Sequence, residues 1–361
     1  MPYLTSVSLR VDSPDASSVP HAADGPRSAR RATPTWLVLG LGLVLLAAVF
    51  ASLAIGTRNV PPGEVFAMLG GERDGDAGLI RDLRVPRTLL GLLVGVALGV
   101  AGAVAQNITR NPLADPGLIG VSAGAAFAVA ASVGLLGVSD PRGYLWFAFV
   151  GAAIAGAIAY VVGGSGTGGA TPAKLALAGA AVSALLEAGT GALVLIDPDS
   201  LNRYRSWAVG SLTGREDDLA LQLLPFVLVG LVLALALTGR LNALALGDDL
   251  ATTLGAKAGT TRALGACAVI LLTGVAVAAA GPIVFVGLIV PHILRAFTGP
   301  DARWLVPCSG LAGGVLLLVA DVVGRVIARP TEIEVGVVTA FLGAPFLIYL
   351  VRRGKIGEHA G

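Results

Sequence analysis

Ten apolar runs follow one another along this 361-residue chain, separated by short polar breaks. They are Trp36–Ile55, Thr88–Gln106, Leu118–Gly137, Leu145–Val162, Ala173–Ile196, Leu219–Leu237, Ala263–Ala280, Ile283–Ile293, Leu305–Ile327 and Val335–Val351. Most approach the ~20 residues that cross a ~30 Å hydrocarbon layer at about 1.5 Å per residue. The run starting at Ile283 is shorter and lies between Pro282 and Pro291; extension past His292 toward Phe297 would complete it. The pattern predicts an all-α, polytopic membrane protein with about ten transmembrane helices over residues 36–353. A tail at residues 1–35, rich in Ser, Pro, Ala and Asp, reads as disordered. A second short tail occupies residues 354–361.

Glycine marks how the spans pack. Gly91, Gly95 and Gly99 recur every four residues and line one helix stripe, and Gly102 extends it. Such a stripe lets two backbones approach closely in lipid. Pro112, Pro116, Pro282, Pro291 and Pro345 lie in or beside apolar runs. Proline frees a backbone carbonyl, which is tolerated only where protein or a water-lined cavity satisfies it. Broken helices of that kind are usual in transporters.

Composition agrees with a membrane solvent: 55% of residues are hydrophobic and 13% charged, against about 25% charged in ordinary soluble domains. The net charge of +2 points to no acidic or basic partner, and nothing suggests nucleic acid. Cys267 and Cys308 sit in apolar runs without a CxxC or Cys/His pattern, and read as small buried hydrophobes. An even span count puts both termini on one side. The basic end Arg352-Arg353-Gly354-Lys355 suits the cytoplasm. On that orientation Lys and Arg divide only 14 inside to 11 outside, so the outer arginines need another explanation.

Chemistry for catalysis is missing. No HExxH or GxSxG is present, and no residue reads as catalytic or metal-ligating. Gly163–Gly169 has the look of a phosphate loop but lacks the closing Gly-Lys-Ser/Thr, so it reads as a connector. If ATP drives the protein, another subunit binds it. Glu187 is the one acid deep in an apolar run; a carboxylate there is costly in lipid and must face a cavity or a partner. A pathway role and a hydrogen-bonded structural role both stay open. Asp321 and Arg325, at i and i+4, are placed for a local ion pair.

Three stretches carry a more specific signal. Arg84-Val85-Pro86-Arg87 leads into GLLVGVALGVAGAVAQNITRNPLADPGLIGVSAGA (Gly91–Ala125). GPIVFVGLIVPHILR (Gly281–Arg295) leads to ADVVGR (Ala320–Arg325), and then comes EVGVVTAFLGAPFLIYLVRR (Glu334–Arg353). Together they closely resemble the FecCD-type permeases of ABC importers, which take up iron–siderophore complexes, haem or cobalamin, from about Trp36 to Arg353. The resemblance implies ten transmembrane helices and a pair of permease subunits in the bacterial cytoplasmic membrane. It also implies two ATP-binding subunits on the cytoplasmic side, a substrate-binding protein outside, and no resident cofactor. It places the ATPase-coupling segment at Gly247, Asp248, Asp249, Leu250, Leu254 and Gly255. Arg84, Arg87 and Arg325 match arginines that meet acidic residues of the binding protein, with local pairing to Asp82 and Asp321 as the alternative. Ala173–Ile196 matches the helix lining the path, here with Gly179, Ser183 and Glu187. A bare-metal ABC permease would be shorter and richer in titratable ligands. A proton- or sodium-driven transporter would show several paired intramembrane acids.

Overall fold

A computed structural model describes residues 35–71, 76–138, 140–165, 171–196, 198–214, 218–253 and 255–352. The two expected tails, Leu254 and most of the Gly163–Gly169 connector lie outside the described residues.

Every regular element among the described residues is helical. In chain order they are α1 (Thr35–Ala54), α2 (Pro62–Leu69), α3 (Asp76–Leu79), α4 (Val85–Thr109), α5 (Val121–Gly134), α6 (Pro141–Gly164) and α7 (Pro172–Ile196). Then follow α8 (Pro198–Ala208), α9 (Leu219–Ala245), α10 (Asp248–Thr253), α11 (Ala258–Ala280), α12 (Val286–Thr298), α13 (Ala302–Ile327) and α14 (Val335–Arg352). A π-helical turn, Ile80–Arg84, joins α3 to α4, and a 3-10 turn, Pro116–Ile119, precedes α5.

The ten predicted runs each fall on a helix. Among the described residues, seven helical stretches, containing α1, α4, α6, α7, α9, α11 and α13, are long and apolar enough to cross a bilayer. The other three, in α5, α12 and α14, are shorter apolar helices. Helix α4 is the axis of the bundle, with 83% of its most apolar stretch buried, and it packs against α13, α11, α9 and α12. Helix α7 is peripheral by the same measure, at 22%.

The glycine stripe explains why α4 sits at the centre. A β-carbon at Gly95 would lie 2.5 Å from the carbonyl oxygen of Gly313 on α13. One at Gly99 would run into Ser309 O, and one at Gly102 into Gly287 O on α12. Three turns of α4 therefore lie backbone to backbone against two neighbours, where any side chain would force them apart.

Two helices start inside the bundle. Gly287, in the first turn of α12, touches Gly102 four turns down α4, and Gln106 Nε2 donates to Gly287 O at 3.1 Å. The chain enters α12 through the irregular segment Gly281–Phe285, where Gly281 and Phe285 both have positive φ. Ser211 N donates to Ala280 O, and Leu212 packs on Gly91, so this segment starts near the Arg87 end of α4 and ends near Gly102. The helix runs past His292 to Thr298, as the sequence pattern predicts, but Ile283–Phe285 are not helical, so the thirteen residues of α12 make a partial span of ~20 Å. Pro116, ahead of α5, packs against the same Gly287.

Candidate functional site

The chemistry-bearing side chains gather at the two ends of α4. At its first turn Pro86 supplies the fixed φ of a helix start, and Arg87 points across to α13. Arg87 Nη2 donates to Asp321 Oδ1 at 2.7 Å, and Nη1 donates to Glu332 Oε2 at 2.7 Å. Asp321 also accepts from Arg325 through Nε at 3.0 Å and through Nη2. Arg325 continues to α1, donating to Ser52 O at 2.9 Å and Ser52 Oγ at 2.8 Å, while Ser52 Oγ contacts Thr88 Oγ1. The i, i+4 pair expected for Asp321 and Arg325 is therefore one edge of a network joining α1, α4 and α13.

The three arginines matched to the binding-protein contact are largely buried in this single chain, the Arg87 side chain being 13% exposed. Arg84 is 7% and Arg325 2% exposed, and Arg84 donates to Leu53 O at 2.6 Å and to Arg58 O. Local pairing with Asp321 is what this structure contains for Arg87 and Arg325. A cavity of about 280 Å³ opens above them, lined among others by Arg58, Asp82, Arg84, Arg87, Thr213 and Glu332. Buried guanidiniums need their donors satisfied, and neighbouring carbonyls and carboxylates do so here. The sequence pattern could not show that inward turn. Glu332 was missed altogether, because it lies 245 positions from Arg87.

At the other end, α4 stops at Arg110, whose left-handed φ of 47° closes the helix. Its Nε donates to Leu244 O at 2.9 Å, and Nη2 pairs with Asp248. Arg262, in the first turns of α11, reaches the same carboxylate with Nη1 and Nη2, each at 2.9 Å. Asp248 thus ties the short helix α10 to α4 and α11. The hydrogen bonds from Arg262 hold its carboxyl below the ordinary range; burial works against this, and the charges of Arg262 and Arg110 add to it. Ala251 packs inward and is fully buried, whereas Asp249 and Leu250 are exposed. The two acids predicted together therefore separate: Asp248 anchors the helix and Asp249 faces out. Gly247 and Gly255 flank α10 with φ of 114° and 80°, conformations that favour glycine.

The third predicted group lies on α7. Gly179, Ser183 and Glu187 share one stripe at four-residue spacing. Gly179 is buried beside Gly120, ahead of α5, Ser183 is half-buried and Glu187 is exposed on the single chain. Leu177, Leu185 and Leu195 are exposed on the same helix. One further pair escaped the sequence reading: Arg295 Nη1 donates to Gln106 Oε1 at 2.6 Å, locking α12 to α4.

The described residues thus form a helical bundle with an arginine-lined cavity at one end and a clamped short helix at the other. The model of the FecCD transport family matches residues 44–353. The chain belongs to the FecCD transport family. Among its relatives, the ferric enterobactin transport system permease protein FepD of Escherichia coli is 46% identical over 322 residues, covering 89% of this chain and 96% of that protein. The Fe(3+)-citrate import system permease protein YfmD of Bacillus subtilis is 44% identical over 277 residues, covering 77% and 82%. A solved chain described as a metal-chelate type ABC transporter in an inward-facing conformation superposes with a TM-score of 0.75 at 29% identity, covering 89% of this chain and 99% of that one. This FecCD protein is accordingly a permease subunit of an ABC importer, a multi-pass membrane protein and a transport component rather than an enzyme. The expected fold and family hold.

Proposed function

We propose that this permease carries ferric-siderophore-type chelates across the bacterial cytoplasmic membrane by alternating access, as one of a pair of permease subunits. The partner permease is a second copy or a related chain. Two ATP-binding subunits engage α10 from the cytoplasm, and a substrate-binding protein docks on the Arg87 end from outside. Both termini lie in the cytoplasm.

One observation carries this reading. Helix α10 is clamped on one face by Asp248 and Ala251 and presents Asp249 and Leu250 on the other. A push on the free face is passed into α4 and α11 through charge-assisted hydrogen bonds. Helix α4 runs from there, within one rigid seam, to Arg87 beneath the opposite cavity. The lightly covered α7, with its exposed Glu187, supports a second permease subunit across a polar path, because lipid alone would make that carboxylate costly. The iron-chelate cargo is supported by the named substrates of the relatives at 46% and 44% identity.

The test is uptake of a panel of labelled ferric chelates in a strain lacking this gene, with and without the gene restored. Restoration of uptake for a ferric chelate is expected. Transport that survives ATP depletion but collapses with the proton gradient would overturn the reading.

A further inference from the structure

Arg87 holds two carboxylates that differ in how they are held. Asp321 is closed in, with its side chain 2% exposed, and it is shared with Arg325. Glu332 is 25% exposed, sits on the loop between α13 and α14, lines the cavity, and has a 2.7 Å bond to Arg87 Nη1.

We propose that Glu332 is a built-in stand-in for a carboxylate of the substrate-binding protein, which takes its place on Nη1 of Arg87 when that protein docks. This rests on the docking reading above. Asp321 cannot make way, since its departure would strand the buried guanidinium of Arg325 without its counter-charge. Glu332 can, because a partly exposed pair is weakly held and its carboxylate is rehydrated as the loop swings outward. The exchange is like for like. Arg87 keeps one carboxylate on each side, so no buried charge is left uncompensated and the donors of its fork stay satisfied. Until the partner arrives, Glu332 keeps the arginine occupied, so a carboxylate that brings no further contacts gains little by entering. Only a surface that adds contacts around the cavity wins the exchange, which makes Glu332 a determinant of partner specificity.

The experiment measures binding of the substrate-binding protein that supports uptake through this permease. It is titrated onto the complete transporter, permease with its ATP-binding subunits, in lipid nanodiscs. Glu332→Gln keeps the size of the side chain and removes the competing charge; affinity is expected to rise roughly threefold to tenfold. Glu332→Ala is the second variant and should move affinity the same way. Thr213→Glu, which adds a fixed carboxylate to the same cavity, should weaken docking by at least roughly tenfold. If Thr213→Glu weakens docking while both Glu332 variants leave it unchanged or weaker, the stand-in role is overturned and the docking site survives. If Thr213→Glu leaves docking unchanged, the docking site itself is wrong and the stand-in falls with it.

Discussion

Asp248 accepts hydrogen bonds from both terminal nitrogens of Arg262, each at 2.9 Å, while Arg110 holds the same carboxylate from α4. Replacing it by Asn keeps the volume and removes the charge that both guanidiniums share. Asp248→Asn is expected to leave the permease inserted and ATP hydrolysis measurable, but to lower substrate moved per ATP at least roughly fivefold. Asp248→Glu should recover part of the ratio. Equal coupling in all three proteins would remove Asp248 from the linkage.

The same clamp has a pH signature. The carboxyl of Asp248 is held below its ordinary value of about 3.9 by Arg262 first and Arg110 second. A depressed folded pKa gives stability that is present above the unfolded value and is lost as pH falls through the folded one. Attachment of α10 should therefore be unchanged between pH 8 and pH 5, and loosen only in stronger acid. Hydrogen exchange of the Gly247–Thr253 amides against pH would show it; loosening near neutrality would contradict the assignment.

The seam between α4 and α13 has no room for a methyl group. Gly99→Ala would set a β-carbon into Ser309 O, whereas Gly40→Ala meets nothing within 4 Å. Overpacking of this kind costs about 1–3 kcal/mol, and here the group struck is a backbone carbonyl that cannot rotate away. Thermal unfolding in detergent should fall for Gly99→Ala and stay unchanged for Gly40→Ala. Equal melting of the two would show that the seam yields.

Asp321 is the keystone of the arginine network. Asp321→Asn leaves Arg325 and Arg87 sharing one acid less, and breaking a buried pair costs about 3–5 kcal/mol. The variant should insert poorly or melt markedly earlier than wild type. Asp82→Asn, on the exposed rim of the same cavity, should be near neutral.

The free face of α10 is tested separately. Leu250 is 55% exposed and belongs to no internal cluster. Leu250→Asp should reduce copurification of the ATP-binding subunits without changing the stability of the permease alone. Retained copurification would place the ATPase contact elsewhere.

Much of this was legible from spacing. The glycines at 91, 95 and 99 mark a contact stripe because helix period alone puts them on one face. The ten apolar runs mark helices because nothing else saturates backbone groups in lipid. What stayed hidden has a physical reason in each case. Gly281–Phe285 is apolar and non-helical, so hydropathy could not separate it from α12. Asp248 and Asp249 differ only in which side of one short turn they occupy. Helix α8 is amphipathic and fell into a polar break between runs. Arg84 and Arg325 carry charge that reads as surface, yet carbonyls of Leu53 and Ser52, distant in sequence, take their donors.

The partial span α12 bears on how the chain is made. Thirteen residues are too few for a segment to be recognised and released sideways into lipid on its own. Its irregular lead-in leaves amide groups that only neighbouring helices can enclose. α12 must therefore be held back during synthesis until α13 has emerged, with α4 already waiting to receive it. Membrane entry of this region is thus a cooperative event of several helices.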